Sequence, residues 1–155
     1  PGAGDRVLGA NPPRRVTECR VYRWRQNGVL MAIDMVIEVD NEPGALARVA
    51  AAVSDAGVNL AAATSMGSNQ RAELHILVPH AEAVRHSLAI TNLAVTRERE
   101  VVVVEVEDRP GVLADLARKV AEAGVNLDVV YVATHNRVVF GSPDIDKLRA
   151  VLGAT

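Results

Sequence analysis

The sequence predicts an α+β fold made of two similar units, and three observations support that prediction. The first is an internal repeat, because residues 41–60 match residues 108–127 without a gap at a constant offset of 67. The second is that each copy follows a run rich in Val and Ile, as strands do. The third is an apolar spacing of i, i+3, i+4 and i+7 after each run, which is typical of a helix packed against a sheet. Self-similarity at a fixed period indicates a repeated structural unit.

The first unit is predicted to have the order βαββαβ. Its hairpin and its second, short helix follow the first strand and helix, and a brief strand ends the unit. Such an order predicts an antiparallel sheet with both helices on one face. The predicted strands cover residues 33–39, 60–66, 71–78 and 93–96, the short helix covers 81–88, and the apolar stripe of the first helix is Leu46, Val49, Ala50 and Val53.

The second unit repeats this order but lacks its last strand. Its predicted elements are strands over 101–106, 127–133 and 137–140, a helix with the stripe Leu113, Leu116, Ala117 and Val120, and a helix over 144–152. A missing strand leaves a bare sheet edge, and bare edges are normally covered or paired. We expect a strand or helix face of a second protomer to cover it, which predicts a homodimer, and residues 17–24 are a secondary candidate. The predicted domains are a flexible or non-native leader (1–30), a first domain (31–97) and a second domain (98–155).

Glycine and proline mark the ends of both long helices. Pro43 and Pro110 suit the first helical turn, where the missing N–H is not needed. Gly57 and Gly124 tolerate the left-handed geometry with which many helices end, so we assign them a structural role.

Composition and charge exclude several classes of protein. Hydrophobic residues are 49% and charged residues 23% of the 155, as in ordinary soluble proteins. Residues 1–30 hold six Arg against Asp5 and Glu18, so they carry +4 and the other 125 residues carry −6 of the net −2. An acidic body argues against nucleic-acid binding. The single Cys19 permits no internal disulfide and suggests a reducing, cytoplasmic location, and no apolar run is long enough to cross a membrane.

The repeated motifs resemble the ACT domain family of small regulatory ligand-binding modules. The resemblance rests on Asn41-Glu42-Pro43-Gly44-Ala45-Leu46 with Gly57-Val58-Asn59, and on Asp108-Arg109-Pro110-Gly111-Val112-Leu113 with Gly124-Val125-Asn126. It implies a ferredoxin-like sandwich of two tandem ACT-like domains, binding of an amino acid or similar small effector between domains, and action on a metabolic enzyme. The implied ligand-binding residues are Asn41, Gly44, Ala45, Asn59, Asp108, Gly111, Val112 and Asn126.

The chemistry of an amino acid fits such turns. A helix N-terminus offers unpaired N–H groups and partial positive charge to a carboxylate. Gly44 and Gly111 lack a Cβ, so a ligand can approach that backbone. Asn41 or Asp108 could accept from the ammonium group. A structural role is an open alternative, because Asn and Asp also cap helices and Asn is common in turns.

We expect no enzyme activity, no cofactor and no metal. The four histidines (75, 80, 86 and 135) have no paired carboxylates or cysteines at metal-ligand spacing, so strand or surface positions are expected. The main prediction is a non-enzymatic protein that binds an amino-acid-like effector. Its rival is a protein-binding regulatory subunit without a ligand, and a more distant rival is a small ferredoxin-like enzyme using Asp108 and His135.

Overall fold

The computed structural model describes residues 25–26 and 29–153 of the chain. It contains seven strands and four helices within those residues, and the strand–helix order predicted for both units is confirmed. The strands are β1 (Arg25–Gln26), β2 (Val29–Asp40), β3 (Ala62–Ser68), β4 (Arg71–Val78), β5 (Val95–Glu105), β6 (Val129–Ala133) and β7 (Arg137–Gly141). The helices are α1 (Ala45–Asp55), α2 (Ala81–Ile90), α3 (Val112–Glu122) and α4 (Ile145–Gly153). None of these helices is both long and apolar enough to cross a bilayer.

The two units share one antiparallel sheet. Its strand order is β3-β4-β2-β5-β7-β6, and β1 pairs with β2 outside this path. The predicted strands over 93–96 and 101–106 are a single strand, β5, which serves as the last strand of the first unit and the first strand of the second. The β2–β5 pairing is centred on Ile33 opposite Glu100, two residues related by the repeat offset of 67. The repeat is therefore also an approximate two-fold symmetry of the sheet.

The place of the second unit's missing strand is occupied from within the chain. Residues 29–32 of β2 pair with residues 101–104 of β5, from Val29 opposite Val104 to Ala32 opposite Val101. The filler is thus the N-terminal part of β2, which begins at Val29 and not at residue 33 as predicted. Residues 17–24, the other predicted filler within the chain, lie outside the described residues.

One face of the sheet carries the helices and two apolar cores. The core under α1 and α2 includes Met35, Ile37, Leu74 and Ile76, and the core under α3 and α4 includes Phe140, all fully buried. These side chains exclude water between the helices and the sheet, which is the main stabilising contribution in such a fold.

The opposite face of the sheet is also enclosed. Strands β3 and β6 stand at opposite ends of the strand order, yet the backbone N–H and the hydroxyl of Thr134 both donate to the carbonyl oxygen of Ala61 at 3.0 Å. The sheet is therefore strongly curved, so that its two end strands, β3 and β6, approach each other at this point. A third apolar cluster fills the inside, with side chains from all six strands of the path: Ala32, Ala61, Ala62, Leu77, Val101, Val103, Tyr131, Ala133 and Val139.

Three residues of the predicted buried stripes are exposed. The exposed fractions of Leu46 and Leu113 are 53% and 47%, and Ala117 is exposed as well. In α1 the buried side chains are instead Ala45, Val49, Ala52 and Val53, because the face toward the sheet is rotated relative to the predicted stripe.

The helix starts also differ from the prediction. The N-cap residues are Gly44 and Gly111, in the left-handed region with φ of 92° and 90°, so Pro43 and Pro110 precede the helices and do not lie in their first turns. The predicted helix-ending role of Gly57 and Gly124 agrees with their φ values of 69° and 66° directly after the helices.

Candidate functional site

The turn between β2 and α1 leaves the first helix without a side-chain cap. The N-cap residue is Gly44, so no side chain at this position accepts a hydrogen bond from the N–H groups of the first turn. Asn41 does not cap the helix, because its Nδ2 donates to the carbonyl of Asn69 at 3.0 Å. Asn41 also lies against Gly67, where a Cβ would come within 2.9 Å of its amide nitrogen. The amide of Asn41 therefore holds the β3–β4 turn, and the helix N-terminus stays exposed.

The matching turn of the second unit presents a free carboxylate. Asp108 is exposed and has no hydrogen bond or ion pair within the described chain. Its neighbour Arg109 instead contacts Glu107 at 3.3 Å and Asp115 at 3.6 Å. Gly111 again caps the helix without a side-chain hydrogen bond. An uncapped helix N-terminus and a free carboxylate thus lie three residues apart.

Within one unit the predicted site residues do not meet. Gly44 begins α1, whereas Asn59 follows its end, and eleven helical residues at about 1.5 Å each separate them by roughly 16 Å. Gly111 and Asn126 stand in the same relation to α3. A site that combines both kinds of residue must therefore draw on two units.

The two units do meet at the turn between β6 and β7. Thr134 at this turn donates twice to Ala61, at the start of the first unit's β3. The carbonyl of Asn136 in the same turn accepts the N–H of Val106, which begins the second unit's turn toward α3. Arg137 is 8% exposed and orders this turn, because its Nε donates to the carbonyl of Thr134 at 2.7 Å.

These bonds bring predicted residues of both units to one corner of the sheet. Asn59 lies two residues before Ala61, and Asp108 lies two residues after Val106, so both flank the same turn. By the repeat offset of 67, Ala61 corresponds to residue 128 and Thr134 to residue 67. The symmetry-related corner would therefore join residues 67 and 128, next to Asn41 and Asn126. Within residues 29–153 no backbone hydrogen bond closes that second corner. Only the first corner therefore has a fixed backbone junction between the units.

A buried polar cluster also joins the units, on the inner face of the sheet. Asp34 on β2 is fully buried, and its Oδ1 accepts the Tyr131 hydroxyl from β6 at 2.7 Å. Its Oδ2 accepts Nε of Arg99 at 3.1 Å and lies 2.9 Å from Nδ1 of His75. A buried carboxylate is tolerated when it is paired and fully hydrogen-bonded, as this one is.

The cluster continues from Asp34 toward solvent on both sides. Arg99 also donates from Nη1 to Asp128 at 2.8 Å, which adds a second link to the second unit. On the other side, Nε2 of His75 lies 2.9 Å from Glu73, which also pairs with Arg97 at 3.2 Å. Gly141 leaves room for Val129 and Asp128, because a Cβ there would lie 2.5 Å from Val129 Cγ1 and 3.3 Å from Asp128 Oδ1.

The fold does not require this polar cluster. By the repeat offset Asp34 corresponds to Val101, and by the strand register His75 corresponds to Val139. Both valines are fully buried, so the second unit builds the same positions from apolar side chains. The polar residues therefore occur in only one of the two units, where they contact Tyr131 and Asp128 of the other unit.

This cluster was not predicted from the sequence, although the pattern of charged residues in β2 and β5 indicates it. Asp34 interrupts a β-branched, apolar run, and Arg97 and Arg99 alternate in β5, which places them on one face of the strand. The other three histidines, at 80, 86 and 135, are exposed. The described residues contain no group of three or more side chains arranged to hold a metal ion.

Comparison with known proteins identifies the repeated unit. The family model described as "ACT domain" matches residues 34–85 and again residues 101–152. The protein BT0572 from Bacteroides thetaiotaomicron is similar in structure, with a TM-score of 0.72 and 24% identity over 82% of this chain and 90% of that one. The ligand-free regulatory subunit of aspartate kinase from Thermus thermophilus is similar with a TM-score of 0.58 and 20% identity, over 80% and 94% of the two chains.

A further similar structure is aspartate kinase from Synechocystis, with a TM-score of 0.59 and 16% identity. It covers 93% of this chain but only 28% of that enzyme. No curated protein matches the chain. At these identities the structural likeness establishes the fold alone.

Proposed function

Because this chain belongs to the ACT domain family, and carries two ACT domains in tandem, we propose that it is a regulatory protein that binds an amino acid or similar small effector and has no catalytic activity of its own. Regulation by small molecules is the role that the family and the aspartate kinase regulatory subunit support. The single observation that carries the proposal is the corner at the β6–β7 turn, where Asn59 of one domain and Asp108 of the other flank a fixed junction.

The chemistry of this corner suits a zwitterion. The uncapped start of α3 at Gly111 and Val112 offers backbone N–H groups and partial positive charge to a carboxylate. The free carboxylate of Asp108 would accept from an ammonium group, and such charge-assisted hydrogen bonds are the stronger kind. The amide of Asn59 would supply an orienting hydrogen bond from the other domain. A second site at Asn41, Gly44, Ala45 and Asn126 follows from the repeat.

An alternative is a protein-binding regulatory subunit of a metabolic enzyme that has no ligand of its own. The exposed face of β6 favours it, because Val130 and Val132 are 41% and 68% exposed, whereas the matching residues of β3 are Ala63 and Ser65. Apolar side chains grouped on an exposed strand suit a protein partner. In that case the turns would be purely architectural.

The proposed assembly is a homodimer, which is supported by the side of β5 over residues 95–99 that has no partner strand in the described part of the chain. The proposed location is the cytoplasm, which the single Cys19 supports because cytosolic thiols stay reduced. The proposed domain limits remain 31–97 and 98–155.

Calorimetric titration with each of the twenty amino acids tests the proposal. We expect at least one to bind, and Asn59→Ala and Asp108→Ala to weaken it by about 1–3 kcal/mol, the cost of leaving a polar partner unpaired. Asn92→Gly is the matched control, because Asn92 is also an exposed turn residue, with φ of 56°, away from both corners. Binding that survives both site variants unchanged would refute the site. Absence of any binding would favour the ligand-free alternative.

A further inference from the structure

One edge of the shared sheet has no partner strand in the described part of the chain. Strand β5 pairs with β2 along nearly its whole length, but β7 pairs only with residues 102–105 of β5. Residues 95–99 therefore present one row of unpaired backbone groups. Such an edge is a ready site for another extended segment.

The repeat relates this edge of β5 to an edge of β2, and that edge is paired with a short strand. Under the repeat, residues 95–99 of β5 correspond to residues 28–32 of β2. There the short strand β1 pairs with β2, with Arg25 opposite Leu30 and Gln26 opposite Val29. This type of edge thus already accepts a short antiparallel strand from the N-terminal part of this chain, at one of its two copies.

A cavity adjoins the free edge of β5. Its volume is about 470 Å³, and it is lined by Arg85, Ala89, Asn92, Leu93, Ala94, Val95 and Glu98. It is an open depression in the surface, so a side chain can enter it from the edge. Because Val95 and Glu98 belong to both the edge and the cavity, a strand on this edge would place side chains at the cavity mouth.

Residues 17–24 have the chemistry of a suitable occupant. They hold Tyr22 and Trp24, which are half of the four aromatic residues in the chain, while Phe140 and Tyr131 are already buried in the sheet. Aromatic side chains, Tyr and Trp above all, carry much of the binding energy of protein interfaces.

We propose that the free edge of β5, over residues 95–99, docks residues 17–24 of a second copy of this chain as an added antiparallel strand, with an aromatic side chain in the adjoining cavity. Reciprocal docking would produce a closed two-fold dimer. This inference rests on the proposed homodimer and specifies the surface that forms it. It does not depend on the effector site.

The same segment of the same chain cannot reach this edge with its aromatic residues. Strand β1 lies on the side of β2 away from β5, so the free edge is three strand spacings away, about 14 Å. It is also displaced by six residues along the strands, from Leu30 to Val36 opposite Arg97, or about 20 Å. Trp24 is one residue, about 3.8 Å, from Arg25. A second copy must therefore supply the strand.

Light scattering over micromolar concentrations tests the docking on the full chain and on a chain that starts at Arg25. We expect a dimer for the full chain and a monomer for the shortened one. Ala89→Trp, which fills the cavity from an exposed position, should weaken the dimer at least about tenfold. Ala83→Trp is the matched control on the same helix outside the cavity, and it should leave the dimer unchanged.

A disulfide experiment tests which surfaces meet. Cys19 is the only cysteine, so a Cys19→Ser chain that carries a new cysteine at residue 96, 97 or 98 can be mixed with the natural sequence and oxidised. A disulfide between two different chains supports the docking. The control is a chain with Cys19→Ser and Ser54→Cys, which carries its cysteine at an exposed position of α1 outside the docking edge.

The outcomes separate the docking from the dimer. A shortened chain that remains a dimer would refute the docking and leave the homodimer standing. A full chain that stays monomeric would refute both. A shortened chain that dissociates, with neither an effect of Ala89→Trp nor a disulfide, would show that residues 17–24 bind elsewhere and would also refute the docking.

Discussion

Replacing Tyr131 by Phe removes one hydroxyl group, and with it the 2.7 Å hydrogen bond to Asp34 that joins the two domains. The acceptor is fully buried and the ring of Tyr131 is 8% exposed, so water cannot readily replace the lost donor. Hydrogen bonds to charged groups contribute about 1.5–3 kcal/mol, and a buried acceptor left without its partner carries its desolvation penalty. We therefore expect Tyr131→Phe to lower the free energy of unfolding by about 2 kcal/mol.

Urea unfolding followed by circular dichroism measures this loss, and a thermal melt should show a fall of about 4–8 °C for a chain of this size. A double-mutant cycle with Asp34→Ala then isolates the pair. Asp34→Ala alone should cost about 3–5 kcal/mol, because it leaves the half-buried Arg99 without its buried partner.

Once Asp34 is gone, the Tyr131 hydroxyl has lost this acceptor, so the second substitution should cost much less. Losses that add to within about 0.3–0.5 kcal/mol would contradict a direct interaction. A loss below about 0.5 kcal/mol for Tyr131→Phe alone would show that the buried bond does not stabilise the junction.

Three further predictions concern single positions. Gly111→Ala should lower stability by about 1–2 kcal/mol in urea, because φ of 90° is strained for a residue with a Cβ even though nothing lies within 4 Å of that atom. Gly141→Ala should cost about 1–3 kcal/mol, since its Cβ would lie 2.5 Å from Val129 Cγ1, and Val129→Ala in the same chain should restore most of the loss. Glu98→Gln should flatten the acid limb of the stability curve: the hydrogen bond from Arg85 lowers the pKa of Glu98 below its ordinary 4.5, so its contribution is present above that pH and disappears as the pH falls through the lowered pKa.

Each of these predictions has a control in the chain. Gly44→Ala should cost the same as Gly111→Ala, because its φ of 92° and its empty surroundings match, and unequal losses would show that more than backbone strain is involved. Val129→Ala alone measures its own cost, and failure to rescue Gly141→Ala would contradict the predicted clash. Glu122→Gln at an exposed position of α3 controls for the loss of one carboxylate, and an equal effect on the acid limb would argue against the Glu98–Arg85 pair.

The order of strands and helices could be predicted from the sequence because it depends on local patterns. The hairpin strand over residues 71–78 was predicted with its correct limits, and Gly57 and Gly124 follow the helices as expected. The continuity of β5 was missed, because residues 97–100 alternate Arg and Glu and resemble a linker between two apolar strands. In the structure these charges have partners, such as Arg85 for Glu98 and Asp34 for Arg99.

The candidate site was harder to predict because it depends on contacts distant in sequence. Asp34 and Tyr131 are 97 residues apart, and only the rolled sheet brings them together. The junction of Thr134 with Ala61 likewise depends on the closure of β3 onto β6, which no local pattern specifies. Sequence motifs indicated Asn59 and Asp108 separately, but not that they flank the same turn.

We propose above that an effector binds where the two domains meet at the β6–β7 turn. Backbone amide chemical shifts recorded by NMR, during titration with the amino acid that gives a calorimetric signal, test it most directly. We expect the amides of residues 59–61, 107–109, 111 and 112 to shift together and to saturate at one ligand concentration. Shifts confined to one domain, or centred on the cavity beside residues 95–98, would contradict it.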